Sequence, residues 1–164
     1  MNAYMTAGTF DFLKKIEAKY PNDLMVTMIN ENNALLFHET AGETVFNEPR
    51  KFEELLSIGE MKKEGFVVLN NVPVTDEGKA VFEHQVKNQI ITVKSQHGFL
   101  AVRVLRPLTS SQYVIMTVWK DEASYQAWQS SQTFFDVSKL TGMDSQAKIF
   151  SSAPYVSKYM ITDK

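Results

Sequence analysis

The same order of secondary-structure signals is laid down twice along this chain, before and after the polar segment Gly59-Glu60-Met61-Lys62-Lys63-Glu64-Gly65. In the first stretch a strand around residues 2–6 precedes a helix capped by Thr9, which lines Phe12, Leu13, Ile16 and Tyr20 along one side and ends at Pro21. Leu24–Ile29 and Ala34–His38 read as a hairpin across Asn30-Glu31-Asn32-Asn33, residues that tolerate turn geometry. Pro49 suits the first position of a helix, so a second helix is expected from Pro49 to Gly59, with Phe52, Leu55 and Leu56 on one side. In the second stretch Phe66–Val74 is a strand, and Thr75, Asp76 and Glu77 open a helix that runs to about Ile90. Phe99–Leu105 and Tyr113–Trp119 form a hairpin, and Asp121 caps a helix to Gln129. Ser130 or Ser131 starts another helix to about Leu140, and Tyr155–Ile161 closes as a strand.

This order predicts an α+β protein of two units. Residues 1–62 read β-α-β-β-α, and residues 63–164 read β-α-β-β-α-α-β, the ferredoxin-like pattern. The halves share an order of elements and not a sequence. Their charges differ: six basic against ten acidic residues in 1–62, eleven against nine in 63–164. A unit the size of the first buries too little to be dependable alone, so support from its neighbour is expected.

Several function classes are excluded early. A formal charge of −2 supplies no basic footprint for nucleic acid. Cysteine is absent, which removes disulfides, thiolate nucleophiles and cysteine-ligated metals. The start, Met1-Asn2-Ala3-Tyr4, has neither the basic nor the apolar part of a signal peptide, and no apolar run is long enough to span a bilayer. A cytoplasmic protein that binds no membrane is expected. Nucleophile elbows, phosphate-cradling loops and dinucleotide fingerprints are missing. His38, His84 and His97 are not spaced for metal and read as solvated or hydrogen-bonded surface groups. The acid pairs Glu53-Glu54 and Asp121-Glu122 read as helix starts or polar faces, and Arg103 and Arg106 as solvated strand ends.

Two features remain. The strand Phe66-Val67-Val68-Leu69-Asn70-Asn71-Val72-Pro73-Val74 is apolar apart from its asparagines. Alternation sets Phe66, Val68, Asn70 and Val72 on one side and Val67, Leu69, Asn71 and Pro73 on the other, so one amide shares the more buried face. That amide is satisfied by the protein, a water or a ligand. Farther on, Trp119 ends a strand, while Tyr125 and Trp128 share a helical face, with Phe134, Phe135 and Val137 following. These are core residues, or an aromatic wall suited to a flat apolar ligand.

Residues 63–162 resemble the Isd-type haem-degrading monooxygenases of the antibiotic biosynthesis monooxygenase superfamily. The shared run is Asn71, Gly98-Phe99, Val104-Leu105, Thr117-Val118-Trp119-Lys120, Trp128 and Phe134. Over its full length the chain resembles the two-domain bacterial members and the related TRAP-like proteins, which share His38-Glu39-Thr40-x-Gly42-Glu43-Thr44-Val45. The resemblance implies a dimeric α+β barrel type of domain, with haem as both cofactor and substrate, O₂, and electrons from a reductase or small-molecule reductant. It implies Asn71 as the distal amide, Trp128 as the residue that presses on the porphyrin, and Phe134 in the pocket wall. The family's iron-ligating histidine falls on Ser138, a poorer donor. His97, His84 or Tyr125 would then have to reach the iron instead. Such domains complete a barrel across a dimer, and a chain with two units can complete it internally. A monomer with intrachain sheet pairing is therefore expected, with a homodimer as the alternative and with Phe12, Leu13, Ile16, Phe52, Leu55 and Leu56 mostly buried. The other readings are a non-enzymatic regulatory or stress-related protein of the TRAP-like type, and a cofactor-free monooxygenase or small-molecule binder.

Overall fold

The computed structural model describes residues 1–140 and 149–162, Ser138 by its backbone alone. Its strands are β1 (Asn2–Gly8), β2 (Leu24–Ile29), β3 (Ala34–Thr40), β4 (Arg50–Gly59), β5 (Gly65–Pro73), β6 (Phe99–Pro107), β7 (Gln112–Trp119) and β8 (Tyr155–Ile161). They close a barrel in the order β1-β3-β2-β8-β5-β7-β6-β4. Each half of the chain supplies a run of neighbouring strands, and the halves meet at two antiparallel seams. One is long, β4 on β6 from Phe52↔Pro107 to Gly59↔Ala101. The other is short, β2 on β8 at Met28↔Ile161 and Ile29↔Met160. Helices α1 (Phe10–Lys19), α2 (Lys79–Ile90) and α3 (Glu122–Gln129) lie outside the barrel wall.

Local chemistry explains where these elements begin. Thr9 caps α1 by accepting from the Phe12 amide, and Asp121 caps α3 by accepting from the Ser124 amide. Helix α2 starts later than expected because Thr75 Oγ1 accepts from the Gly78 amide in a turn that precedes it. Leu24–Ile29 and Tyr155–Ile161 have their expected bounds.

Two expected helices are absent from the described residues. Residues 50–59 form β4, which pairs with both β1 and β6. Its register shifts between Glu54 and Leu56. This bulge resets the inward–outward alternation, so Phe52 and Glu54 face the lumen while Leu55, Leu56 and Ile58 all pack outward. Residues 130–140 contain only a 3-10 turn at Val137–Lys139. Ser130 instead ends α3, and Ser131 Oγ donates to the Trp128 carbonyl at 2.7 Å, a local bond that competes with a new helix start.

Three apolar clusters result. The lumen holds Met5, Phe37, Phe52, Val67, Leu69, Leu105, Met116 and Tyr159 among others. Beneath α1, Tyr4, Leu13, Met25, Leu36 and Phe46 pack on the outside of the N-terminal hairpin. Beneath α2 and α3 lies the largest cluster, against the outer face of β5, β6 and β7. Phe12 departs from expectation: it points away from its neighbour Leu13 and is 58% exposed. Leu55, Leu56 and Ile16 are half-buried.

Candidate site between the sheet and its helices

The outer face of β5 presents Phe66, Val68, Asn70 and Val72 to the space under α2 and α3. Phe82, Val86 and Ile90 of α2 cover one side of this space, and Tyr125 and Trp128 of α3 cover the other. The rings form a continuous assembly. Trp128 lies 5.3 Å from Trp119, 6.2 Å from Tyr125 and 4.7 Å from Phe134, measured between ring centroids. Trp119 Nε1 donates to Thr117 Oγ1 at 2.9 Å. The Trp128 indole N–H is buried and finds no hydrogen-bond partner among the described residues. An unmatched buried donor is costly, so a partner at that place carries a reward.

Trp128 and Phe134 come together as expected, and Asn71 does not join them. Asn71 faces the lumen with Val67 and Leu69. Its Nδ2 donates to Ser157 Oγ at 3.2 Å and to the carbonyls of Leu69 and Tyr155 at 3.4 Å, and its Oδ1 accepts from Gln112 Nε2 at 3.5 Å. The protein thus satisfies this amide. Asn70 is the asparagine on the Trp128 face, half-buried between Val68 and Val72.

No histidine enters this space. His84 is exposed on α2 with Nε2 beside Asn88 Nδ2, and His97 is exposed in the turn before β6. His38 is no surface group: it is 2% exposed, sandwiched against Tyr4 and Phe46, and its Nδ1 pairs with Thr44 Oγ1 at 2.9 Å. Burial holds it below the usual imidazole range. Ser138 lies in the 3-10 turn Val137–Lys139. Tyr125 is buried, and burial, aided by Asp136, pushes its hydroxyl upward, so it stays neutral. Among the described residues no three histidine or acidic side chains gather as a metal site.

The arginines are paired rather than solvated. Arg106 grips Glu83 of α2 at 2.7 and 3.0 Å and Glu53 at 3.1 Å. Tyr113 also donates to Glu83. Burial pushes the Glu83 carboxyl up, but the bonds from Arg106 and Tyr113 outweigh it and hold it below the usual range. This clamp fixes α2 to β6 and β7 at the edge of the aromatic cluster. Arg103 lies inside the barrel, bonded to Glu39. Between α2 and the 3-10 turn, a surface cavity of 220 Å³ is lined by Gln85, Gln89, Asp136, Lys139 and Leu140. The space behind it is filled by the protein's own side chains, the rings of Phe82, Tyr125 and Trp128 among them.

Residues 65–139 match the family model described as Antibiotic biosynthesis monooxygenase. The signal transduction protein TRAP of Staphylococcus aureus is 28% identical over 137 residues, which span 81% of this chain and 80% of TRAP. A heme-degrading monooxygenase of Listeria monocytogenes is 22% identical over 148 residues, spanning 90% of this chain and 89% of the enzyme. The structure of a major regulator of staphylococcal pathogenesis superposes with a TM-score of 0.83 at 24% identity, covering 99% of this chain and 98% of the other. A heme-degrading enzyme from Listeria monocytogenes superposes at 0.76 and 19% identity, covering 97% and 98%. The fold is therefore the strand-rich, ferredoxin-like α+β fold of these proteins. Among the described residues no helix is long and apolar enough to cross a membrane.

Proposed function

We propose that this protein is a haem-degrading monooxygenase that takes haem as its substrate between the outer face of β5 and helices α2 and α3. One observation carries the reading: the buried, unpartnered indole N–H of Trp128, in an aromatic wall that shares its face with the amide of Asn70. Flat aromatic walls with few polar groups suit a porphyrin. Haem supplies the iron and, with O₂ and electrons from an external reductant, the redox chemistry of ring opening. The chain's own residues bind, orient and exclude water. Trp128, held by Trp119 and Phe134, would pack against the macrocycle, and the Asn70 amide would supply a hydrogen-bond donor to the bound substrate. Asn70 takes the role that the resemblance implies for Asn71, whose amide is already bonded within the lumen. The aromatic and amide parts fit the substrate; the donor set lacks an imidazole, because position 138 is serine. Stacking on the aromatic residues and enclosure would then hold haem, with no imidazole at position 138 to bind its iron.

Haem titration followed by reductant and air tests this. A saturable Soret shift is expected at micromolar protein. Asn70→Ala should slow ring opening by about a hundredfold, the scale of losing one placed donor. Asn71→Ala should leave ring opening within about twofold and lower stability by about 1–3 kcal/mol, as it strips partners from a buried cluster. Trp128→Ala should reduce ring opening more than binding. No saturable change would remove haem from the account.

A second reading has its own support: serine at 138 and similarity to TRAP suit a non-enzymatic regulatory protein on the same fold. Ser138→His separates the two. If position 138 faces the substrate's iron, the histidine variant should bind haem about tenfold more tightly or better and give a histidine-ligated spectrum. An unchanged spectrum would place 138 outside the site.

A further inference from the structure

Inside the barrel, away from the aromatic cluster, three ionisable side chains meet. Arg103 of β6, Glu39 of β3 and Glu54 of β4 have side chains that are 4%, 8% and 3% exposed. Arg103 is spent on Glu39 and on backbone: Nε donates to Glu39 Oε2 at 2.6 Å and Nη2 to Oε1 at 3.4 Å. Its Nη1 donates to the carbonyls of Ile58 and Val102, each at 3.0 Å. Glu54 is left with Arg103 Nε at 3.9 Å, beyond a hydrogen bond, and no described donor reaches either of its oxygens. Both carboxyls flank the same Arg103 Nε, Glu39 Oε2 at 2.6 Å and Glu54 Oε2 at 3.9 Å. Two carboxylate acceptors placed together cannot bond to each other unless one carries a proton.

We propose that Glu39 and Glu54 share one proton beside Arg103, and that its loss loosens the β3-β1-β4-β6 side of the barrel, making the triad a pH-sensitive latch. With the proton in place, the lumen holds one carboxylate and one guanidinium, a balanced pair. Without it, a second negative charge stands in a closed apolar interior, where an unpaired ion is strongly disfavoured. The charged group facing the pair among the described residues is Arg103 from β6. Burial, then the bond to and charge of Glu39, push Glu54 up to about 8, against the pull of Arg103. Burial also works against Glu39, but its bonds with Glu54 and Arg103 hold it below the usual range.

The bulge after Glu54 ties the latch to the rest of the molecule. The next residues, Leu55 and Leu56, pack on the cluster that contains Trp119 and Trp128. A shift of β4 therefore reaches those rings. The latch depends on the lumen alone and stands or falls independently of haem.

The sign follows from proton counts. Between the ordinary glutamate range and about 8, the folded chain binds one proton that the unfolded chain has released, so stability falls as pH rises. Above that window the difference is constant. In urea unfolding of the full-length protein, the unfolding constant should rise about tenfold per pH unit from 6.5 toward 8, relative to Glu54→Gln, and then level. Glu54→Gln keeps a neutral donor of the same shape and should remove this slope. Tryptophan fluorescence of the folded wild type should shift with the same midpoint. Parallel pH profiles for wild type and Glu54→Gln would overturn the proposal. Should Glu54→Gln fail to fold, infrared spectra of the wild type with ¹³C-labelled glutamate decide. A protonated carboxyl band at pH 7 that is lost above pH 8 supports the latch, and its absence overturns it.

Discussion

Residues 63–164 produced alone should fail to yield a stable monomer. The fragment retains β8, β5, β7 and β6, but it loses β2 from one edge and β4 from the other. The β4–β6 ladder is the longer loss, and without it the backbone of β6 from Ala101 to Pro107 becomes an open edge. The inner face suffers more. Val67, Leu69, Leu105, Val114, Met116 and Val118, all at most 1% exposed, would lose Met5, Val26, Met28, Phe37 and Phe52 opposite them. A contiguous apolar face of that kind drives association. Aggregation is expected, or a dimer in which two copies of the sheet close a barrel around a two-fold axis. Size-exclusion chromatography with light scattering reads the result. A monomeric fragment with the near-ultraviolet dichroism of the intact chain would show that the N-terminal strands are dispensable.

The barrel explains which parts of the fold are readable along the sequence. Caps are local: Thr9 and Asp121 bond residues three positions on, and β8 keeps the bounds its sequence suggests. Strand β4 is the opposite case. Its apolar residues fall at 52, 55, 56 and 58, a helical spacing, because the bulge at Glu54/Leu56 inserts one residue into a period of two. Pro49 reinforces the wrong reading. Partners supplied by β1 and β6, close in space and distant in sequence, decide the matter. The asparagines fail for a related reason. Alternation separates Asn70 from Asn71, but both faces of β5 are apolar because one lines the lumen and the other lies under helices. Nothing local says which face holds Trp128. His38 and Glu39 are likewise adjacent in sequence and opposite in space: His38 turns outward to Thr44, and Glu39 turns inward to Arg103.

Arg103→Met should destabilise the protein by about 3–5 kcal/mol at neutral pH, the range for removing one partner of a buried ion pair. The guanidinium makes two bonds to Glu39 and two to backbone carbonyls, and all of these are lost together. Methionine fills much of the same volume, so the loss measures charge and hydrogen bonding more than a cavity. Glu39 would keep only the proton shared with Glu54, and its carboxylate would stand in the lumen without a counter-ion. It should then take up a proton of its own, so the variant should recover stability as pH falls toward 5, where the wild type gains less. Replacing the whole triad, with Glu39→Met, Arg103→Met and Glu54→Leu together, removes every charge and every unmatched acceptor at once. Buried ionic clusters exchanged for apolar groups of similar volume are often neutral or stabilising. The triple variant should therefore regain most of what Arg103→Met loses and show no carboxyl-linked pH dependence between 5 and 8. Chemical denaturation at pH 5, 7 and 8.5 separates these outcomes. A single variant within about 1 kcal/mol of wild type would mean that water, rather than Arg103, compensates Glu39 inside the barrel.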